Sequence, residues 1–178
     1  MVRKLVALAA VGLLCLAGLA QAKNDDDNGK HKGKQHREVF TADLDGDQEV
    51  PPHETDTTGS FRLIYNGETA EYTLAVRSGT RLTQSHIHCA PAGQNGPVVL
   101  FLAGNHSNGW DVDGRWVSNA TLTDANVTNP ACGATLAEII EQMRQGNTYV
   151  NVHSVANPPG EVRGQVMGPR RGKGPNPR

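Results

Sequence analysis

Three histidines in two distant segments have the residue type and spacing of a metal site. His86 and His88 flank one apolar residue, and His153 follows an asparagine and a valine much later in the chain. In a strand, residues two positions apart point to the same face and lie about 6.6 Å apart. His86 and His88 can therefore contact one ion, and His153 joins them if the two strands are neighbours. The pattern predicts a site of three imidazoles, which suits copper or zinc.

Further residues near these segments could complete or orient such a site. Asn151 precedes His153 by two positions, so a strand places both side chains on one face. Metal-bound histidines usually hydrogen-bond an outer partner, and Asn151 is a candidate for that role or for an additional ligand. His53 and His106 occupy predicted loops and are further candidates. The alternative is that all these residues are ordinary polar groups on a sheet face and in loops.

Alternation of apolar and polar residues predicts the strands that must hold the histidines. Residues 61–65 and 72–76 alternate on either side of the turn sequence Asn66-Gly67, which is typical of a hairpin. The short apolar run of residues 98–102 indicates a strand buried on both faces. The remaining strands are predicted at residues 81–88, 115–122, 149–154 and 161–167.

A single helix is predicted before the last two strands. Thr135 and Glu138 have the spacing of a capping box, and Gly146 supplies a stop. One apolar stripe would run along this helix, formed by Leu136, Ile139, Ile140 and Met143. Short strands with turn-rich joints favour an all-β fold. We predict an antiparallel Greek-key sandwich or barrel, such as an immunoglobulin-like sandwich, with one short helix near residues 136–145.

Both ends of the chain differ in composition from its middle. Residues 1–22 combine a basic start, an apolar run and a small-residue cleavage site, which together predict an export signal peptide. Residues 23–37 and 169–178 are polar and charged, and such segments cannot bury enough apolar surface to fold. Residues 38–168 remain as the folded domain. We therefore expect a secreted or periplasmic protein with no transmembrane segment in the mature chain.

The predicted domain is strongly acidic. Residues 38–168 contain 15 Asp and Glu but 6 Arg and no Lys, a formal charge of −9. Nucleic-acid binding needs clustered Lys and Arg, so the sequence argues against nucleic acid as a partner. The same charge favours solubility and attracts cations.

Two cysteines outside the export signal indicate a disulfide. Cleavage would remove Cys15 and leave Cys89 and Cys132 in a compartment that permits disulfides. Closing a loop of about 40 residues would stabilise the fold by roughly 3 to 4 kcal/mol. The alternative is that Cys89, directly after His88, binds the metal as a thiolate. A continuing strand turns residue 89 away from its histidine neighbours, which favours the disulfide.

Five segments resemble the CHRD domain, a module named after chordin and found in many exported microbial proteins. They are residues 47–52 (DQEVPP), 85–93 (SHIHCAPAG), 95–99 (NGPVV), 149–153 (YVNVH) and 159–165 (PGEVRGQ). The resemblance covers about residues 38–168 in the expected order and implies an extracellular setting. Chordin is an extracellular antagonist of bone morphogenetic proteins. The resemblance therefore implies a second hypothesis, an extracellular protein-interaction module without metal.

A weaker similarity is to the fold of Cu/Zn superoxide dismutase, whose copper site includes a His-x-His strand and a later histidine. His86, His88 and His153 match those positions. The chain departs from that pattern because it lacks a convincing bridging histidine and zinc ligand set, with only His106 in the intervening loop. The similarity favours copper over zinc, and it makes a copper-dependent oxidoreductase the third hypothesis.

The primary hypothesis is a non-catalytic protein that binds one copper ion, or alternatively zinc, through the three histidines. It would act as a metal carrier, a buffer or a metal-stabilised module. The sequence contains no serine-hydrolase elbow, phosphate-binding loop or dinucleotide fingerprint. Glu49 and Glu161 fall in the CHRD-like segments, and Arg163 is expected to form a structural ion pair with one of them.

Overall fold

The computed structural model describes residues 37–112 and 114–169. Their eight strands are β1 Glu38–Leu44, β2 Thr58–Tyr65, β3 Ala70–Arg77, β4 Leu82–Cys89, β5 Val98–Ala103, β6 Arg115–Leu122, β7 Thr148–Ser154 and β8 Val162–Gln165. They form two antiparallel four-stranded sheets, of order β1-β2-β3-β6 and β5-β4-β7-β8. A single apolar core draws residues from both sheets. The prediction of an all-β sandwich is confirmed.

The predicted terminal segments fall almost entirely beyond this part of the chain. The proposed export signal, residues 1–22, lies outside the described residues, and so do both predicted tails apart from residues 37 and 169. Among the residues that the structure describes, no helix is long and apolar enough to span a bilayer.

The first sheet is built on the predicted hairpin. β2 and β3 pair so that Phe61 lies opposite Leu74 and Leu63 opposite Tyr72, and all four side chains are buried. The Asn66 side-chain oxygen accepts hydrogen bonds from the backbone amides of Glu68 and Thr69, which closes the turn of the hairpin. β1 was missed in the sequence, although its alternate residues Phe40, Ala42 and Leu44 are buried.

The predicted helix is confirmed as α1, Leu136–Arg144. The Thr135 hydroxyl accepts a hydrogen bond from the Glu138 amide, and the Glu138 carboxylate accepts one from the Thr135 amide. This reciprocal arrangement satisfies amides that the first helical turn leaves free. The apolar stripe of α1 is fully buried in the core, as predicted, through Leu136, Ile139, Ile140 and Met143.

The prediction that residues 98–102 are buried on both faces is wrong at one position. β5 forms an edge of its sheet, and the Phe101 side chain is 46% exposed. Val99, Leu100 and Leu102 are buried as expected. A run of apolar residues does not reveal that one face of an edge strand is incompletely covered.

Cys89 and Cys132 form the predicted disulfide, with their α carbons 6.2 Å apart. Cys89 lies at the end of β4, and its side chain belongs to the apolar core. Both sulfurs are used in the bond, so the alternative of a Cys89 thiolate ligand is excluded.

The centre of the second sheet separates apolar from polar side chains. β4 and β7 are direct neighbours, with His86 opposite Asn151 and His88 opposite Tyr149. Between these positions, Ile87 and the valines of β7 point into the core. All seven residues of β7 are buried, because loops cover the polar face as well. That polar face holds the histidines.

Candidate metal site

The three predicted histidines meet on the loop-covered face of the second sheet. One ring nitrogen from each of His86, His88 and His153 lies within 4.8 Å of the other two. The closest approach is 3.0 Å, between Nδ1 of His86 and Nε2 of His153. All three side chains are buried. Two histidines come from β4 and one from β7, so the pairing of these strands creates the cluster.

The spacing of these nitrogens is close to that of ligands around one ion. Copper and zinc bind imidazole nitrogen at about 2.0 to 2.1 Å, so two ligands at a tetrahedral angle are about 3.4 Å apart. The 3.0 Å and 4.8 Å separations bracket that value.

Two backbone carbonyls determine where the protons of two of these imidazoles reside. Nδ1 of His88 lies 2.9 Å from the carbonyl oxygen of Gly96, and Nδ1 of His153 lies 2.8 Å from that of Pro158. A carbonyl oxygen only accepts hydrogen bonds, so each Nδ1 must carry the proton. Nε2 of His88 and Nε2 of His153 are therefore unprotonated, the form that a metal ligand requires. Nε2 of His88 has no hydrogen-bond partner among the described residues, whereas Nε2 of His153 contacts Nδ1 of His86.

The His88 ring is held in place from one side by an aromatic residue. It stacks on Tyr149, with ring centroids 4.8 Å apart and planes inclined by 14°. The Arg163 guanidinium lies over the Tyr149 ring at 4.3 Å. The Gly96 amide donates to the Tyr149 hydroxyl, so the residue whose carbonyl accepts from His88 also contacts the ring that stacks on His88. A β carbon on Gly96 would lie 1.9 Å from the Cys89 carbonyl oxygen, which explains why glycine occupies this position.

Burial keeps all three imidazoles neutral. It lowers the pKa of His86 to about 3, and the neighbouring His153 and His88 lower it further. Burial also lowers the pKa of His88 to about 4 despite its hydrogen bond to Gly96. The pKa of His153 is lowered by burial too, with an additional contribution from the positive charge of Arg163. Neutral imidazoles are the form that binds metal ions.

A buried ionic network lies beside the cluster. Nε of Arg163 is 3.0 Å from the Glu49 carboxylate, which confirms the expected ion pair and selects Glu49 over Glu161. The Asn151 side-chain amide donates to the other Glu49 oxygen at 2.8 Å. Burial raises the pKa of the Glu49 carboxyl, and the Arg163 guanidinium opposes that rise. The network connects the polar face of β7 and β8 to the loop that contains Glu49.

The other predicted histidines do not join the cluster. His106 packs against Trp110, with ring centroids 4.8 Å apart. His53 lies in the same loop as Glu49, between β1 and β2, and acts on that carboxylate electrostatically. Within the described residues, the group with metal-ligand spacing consists of the three histidines alone. The group does not include His53 or His106, and a role for either as an additional ligand stays a prediction.

Glu161 anchors the turn that carries the Pro158 carbonyl. Its carboxylate accepts hydrogen bonds from the hydroxyls of Thr55, Thr57 and Ser154 and from the Asn157 amide, at 2.5 to 3.1 Å. Burial alone would raise the pKa of Glu161, but these four hydrogen bonds outweigh burial and lower it. The charged carboxylate thus holds in place the turn that orients His153.

Replacing Glu161 with Gln is expected to lower the free energy of unfolding by about 1 to 3 kcal/mol at neutral pH. Because the pKa of the Glu161 carboxyl is lowered in the folded state, its ionisation stabilises the fold at pH values above 4.5, the ordinary pKa of this group. This contribution disappears as the pH falls through the folded-state pKa. The difference between wild type and variant should therefore shrink below pH 4.5. Urea unfolding at neutral and acidic pH measures it. Glu54→Gln, at an exposed loop position, is the control; an equal difference at both pH values would contradict the argument.

The fold and this cluster together define an antiparallel β-sandwich module with three buried imidazoles on one sheet face. The family model of the CHRD domain matches residues 40–166 of the chain. The chain therefore belongs to the CHRD-domain family, and the resemblance seen in the sequence is confirmed. No curated protein and no solved structure matches the chain.

Several groups at the site could not be identified from the sequence. The carbonyls of Gly96 and Pro158 belong to turn-rich loops, and the sequence does not indicate which way a loop carbonyl points. Tyr149 falls in a CHRD-like segment, but its stacking on His88 depends on the register between β4 and β7. The assignment of the three histidines as metal ligands stays a prediction, for which the structure supplies the required proximity.

Proposed function

We propose that this CHRD-domain protein is exported and binds one transition-metal ion, copper in preference to zinc, through His86, His88 and His153. It then serves as a non-catalytic metal carrier, a buffer or a metal-stabilised module. The supporting observation is a set of three buried imidazoles with ligand nitrogens within 4.8 Å of one another.

The chemistry of the surroundings supports metal binding over a merely structural histidine cluster. Nε2 of His88 is buried and unprotonated, and it has no hydrogen-bond partner among the described residues. An unsatisfied buried polar atom costs about 1 to 3 kcal/mol. A cation bound to this nitrogen would remove that cost. The carbonyl partners of His88 and His153 are the outer hydrogen bonds that metal-bound histidines usually make.

Titration calorimetry of the purified protein with copper and zinc tests the proposal. We expect one ion per chain with a dissociation constant below about 10 μM, and binding at least about a hundredfold weaker in the His86→Ala/His88→Ala variant. The matched control is His53→Ala/His106→Ala, which removes two histidines outside the cluster. Absence of such binding in the wild type, or equal binding by the cluster variant and the control, would contradict the proposal.

Family membership favours a second function, an extracellular interaction module whose histidines are incidental. Pull-down of exported proteins with metal-loaded and with chelated protein separates the two functions. A specific partner retained equally in both samples, and also by the His86→Ala/His88→Ala variant, would favour the interaction module. A partner lost on chelation would favour a metal-dependent role.

A further inference from the structure

Two buried atoms on directly opposed residues lack hydrogen-bond partners in the described part of the chain. They are Nε2 of His86 and Oδ1 of Asn151. The two residues face each other across β4 and β7, and both side chains are buried. Directly opposed residues have β carbons about 4.5 to 5.5 Å apart, so an asparagine amide can reach the facing imidazole. Yet these two atoms are not hydrogen-bonded to each other.

The protonation of the cluster explains why Nε2 of His86 and Oδ1 of Asn151 are not hydrogen-bonded to each other. His153 carries its proton on Nδ1, bonded to the Pro158 carbonyl, so its Nε2 is an acceptor. The 3.0 Å contact then requires His86 to donate from Nδ1, which leaves Nε2 of His86 as an acceptor too. Oδ1 of Asn151 is also an acceptor. Two acceptors cannot form a hydrogen bond.

Metal binding would change Nε2 of His86 from an acceptor into a donor. If Nδ1 of His86 and Nε2 of His153 bind the same ion, Nδ1 of His86 must lose its proton. The ring stays neutral because it releases that proton to solvent and takes one from solvent at Nε2. Nε2 of His86 would then be a donor and Oδ1 of Asn151 an acceptor, so these two unpartnered atoms on opposed residues could form one hydrogen bond.

We propose that Asn151 is a positioning residue that holds His86 in its metal-binding tautomer, Nε2 protonated and Nδ1 free to coordinate. This inference rests on the proposed function. It assigns Asn151 a role outside the ligand set, accepting a hydrogen bond from a ligand.

Contacts around Asn151 fix the orientation of its side-chain amide. Its nitrogen donates to the Glu49 carboxylate at 2.8 Å, which determines which amide atom is left as the acceptor. Arg163 holds Glu49 in turn. A β carbon on Gly160 would lie 2.6 Å from both the Asn151 nitrogen and the Glu49 oxygens, so this glycine closes tightly over the amide. The amide is thereby prevented from rotating its nitrogen toward His86.

Long-range ¹H–¹⁵N NMR of the imidazole rings tests the inference in the wild-type protein, with zinc as a diamagnetic probe. Without metal, we expect the Nδ1-protonated form for all three histidines. With zinc, His86 alone should change to the Nε2-protonated form. Zinc binding that leaves His86 protonated on Nδ1 would overturn this inference alone, whereas absence of zinc binding would overturn the proposed function with it.

Zinc affinity provides a second measurement. The Asn151→Leu variant removes the acceptor and should bind zinc about ten- to a hundredfold more weakly, at unchanged stoichiometry. The matched control is Thr148→Val, on the opposite face of the same strand. This change also removes a buried polar atom, the Thr148 hydroxyl oxygen, that lacks a hydrogen-bond partner among the described residues. Equal zinc affinities for the two variants would overturn the role of Asn151. If Asn151→Leu does not fold, the wild-type NMR result decides.

Discussion

Replacing Glu49 with Ala is expected to lower the free energy of unfolding by about 3 to 5 kcal/mol, because the change leaves a buried guanidinium without its carboxylate. Glu49 and Arg163 are both buried, and the atoms that join them are 3.0 Å apart. Arg163 keeps its hydrogen bonds to Asn95 and to the Gln94 carbonyl, which do not neutralise its charge. Urea unfolding of the variant measures the loss.

A double-mutant cycle separates the ion pair from the rest of the network. Arg163→Met should also be strongly destabilising, whereas Glu49→Ala/Arg163→Met should cost less than the sum of the single changes, since no unpaired charge remains buried. The control is Glu71→Ala, which breaks the exposed Arg37–Glu71 pair and should cost less than about 1 kcal/mol. A Glu49→Ala effect no larger than this control would contradict the argument.

We also expect Glu49→Ala to weaken metal binding, because the Asn151 side-chain amide loses its hydrogen bond to the Glu49 carboxylate.

Loss of the disulfide is expected to lower the free energy of unfolding by about 4 kcal/mol, because the Cys89–Cys132 bond, which joins residues 43 positions apart, restricts the unfolded chain. The measurement is urea unfolding of Cys89→Ala/Cys132→Ala beside the wild type. A reducing agent should bring the wild type to the stability of the variant and leave the variant unchanged. Two free thiols titrated in the oxidised, unfolded wild type would contradict the prediction.

The disulfide also bears on the candidate metal site. Cys89 follows His88 directly, and its amide donates to the Pro97 carbonyl, next to the Gly96 carbonyl that orients the His88 ring. The disulfide joins this end of β4 to Cys132, which lies just before α1. We expect the disulfide variant to retain the metal stoichiometry of the wild type, since neither sulfur is a ligand.

Sequence patterns with a short period predicted most of the fold. Alternation located the hairpin of β2 and β3, and the capping residues of α1 placed its start, because both features depend on neighbours a few positions apart. β1 was missed although Phe40, Ala42 and Leu44 alternate in the same way and are buried. The exposure of Phe101 could not be predicted from local alternation, because being at a sheet edge is a property of the whole sheet.

For the site, residue spacing alone predicted which side chains share a face, because His86 and His88 are two positions apart in one strand and Asn151 and His153 in another. The acidic charge and the cysteine pair were also evident from composition. The fold was needed to establish that β4 and β7 are neighbours, that the three-histidine group leaves out His53 and His106, and that the Gly96 and Pro158 carbonyls fix two imidazole tautomers. Contacts between distant segments depend on strand order and loop path, which local residue patterns do not encode.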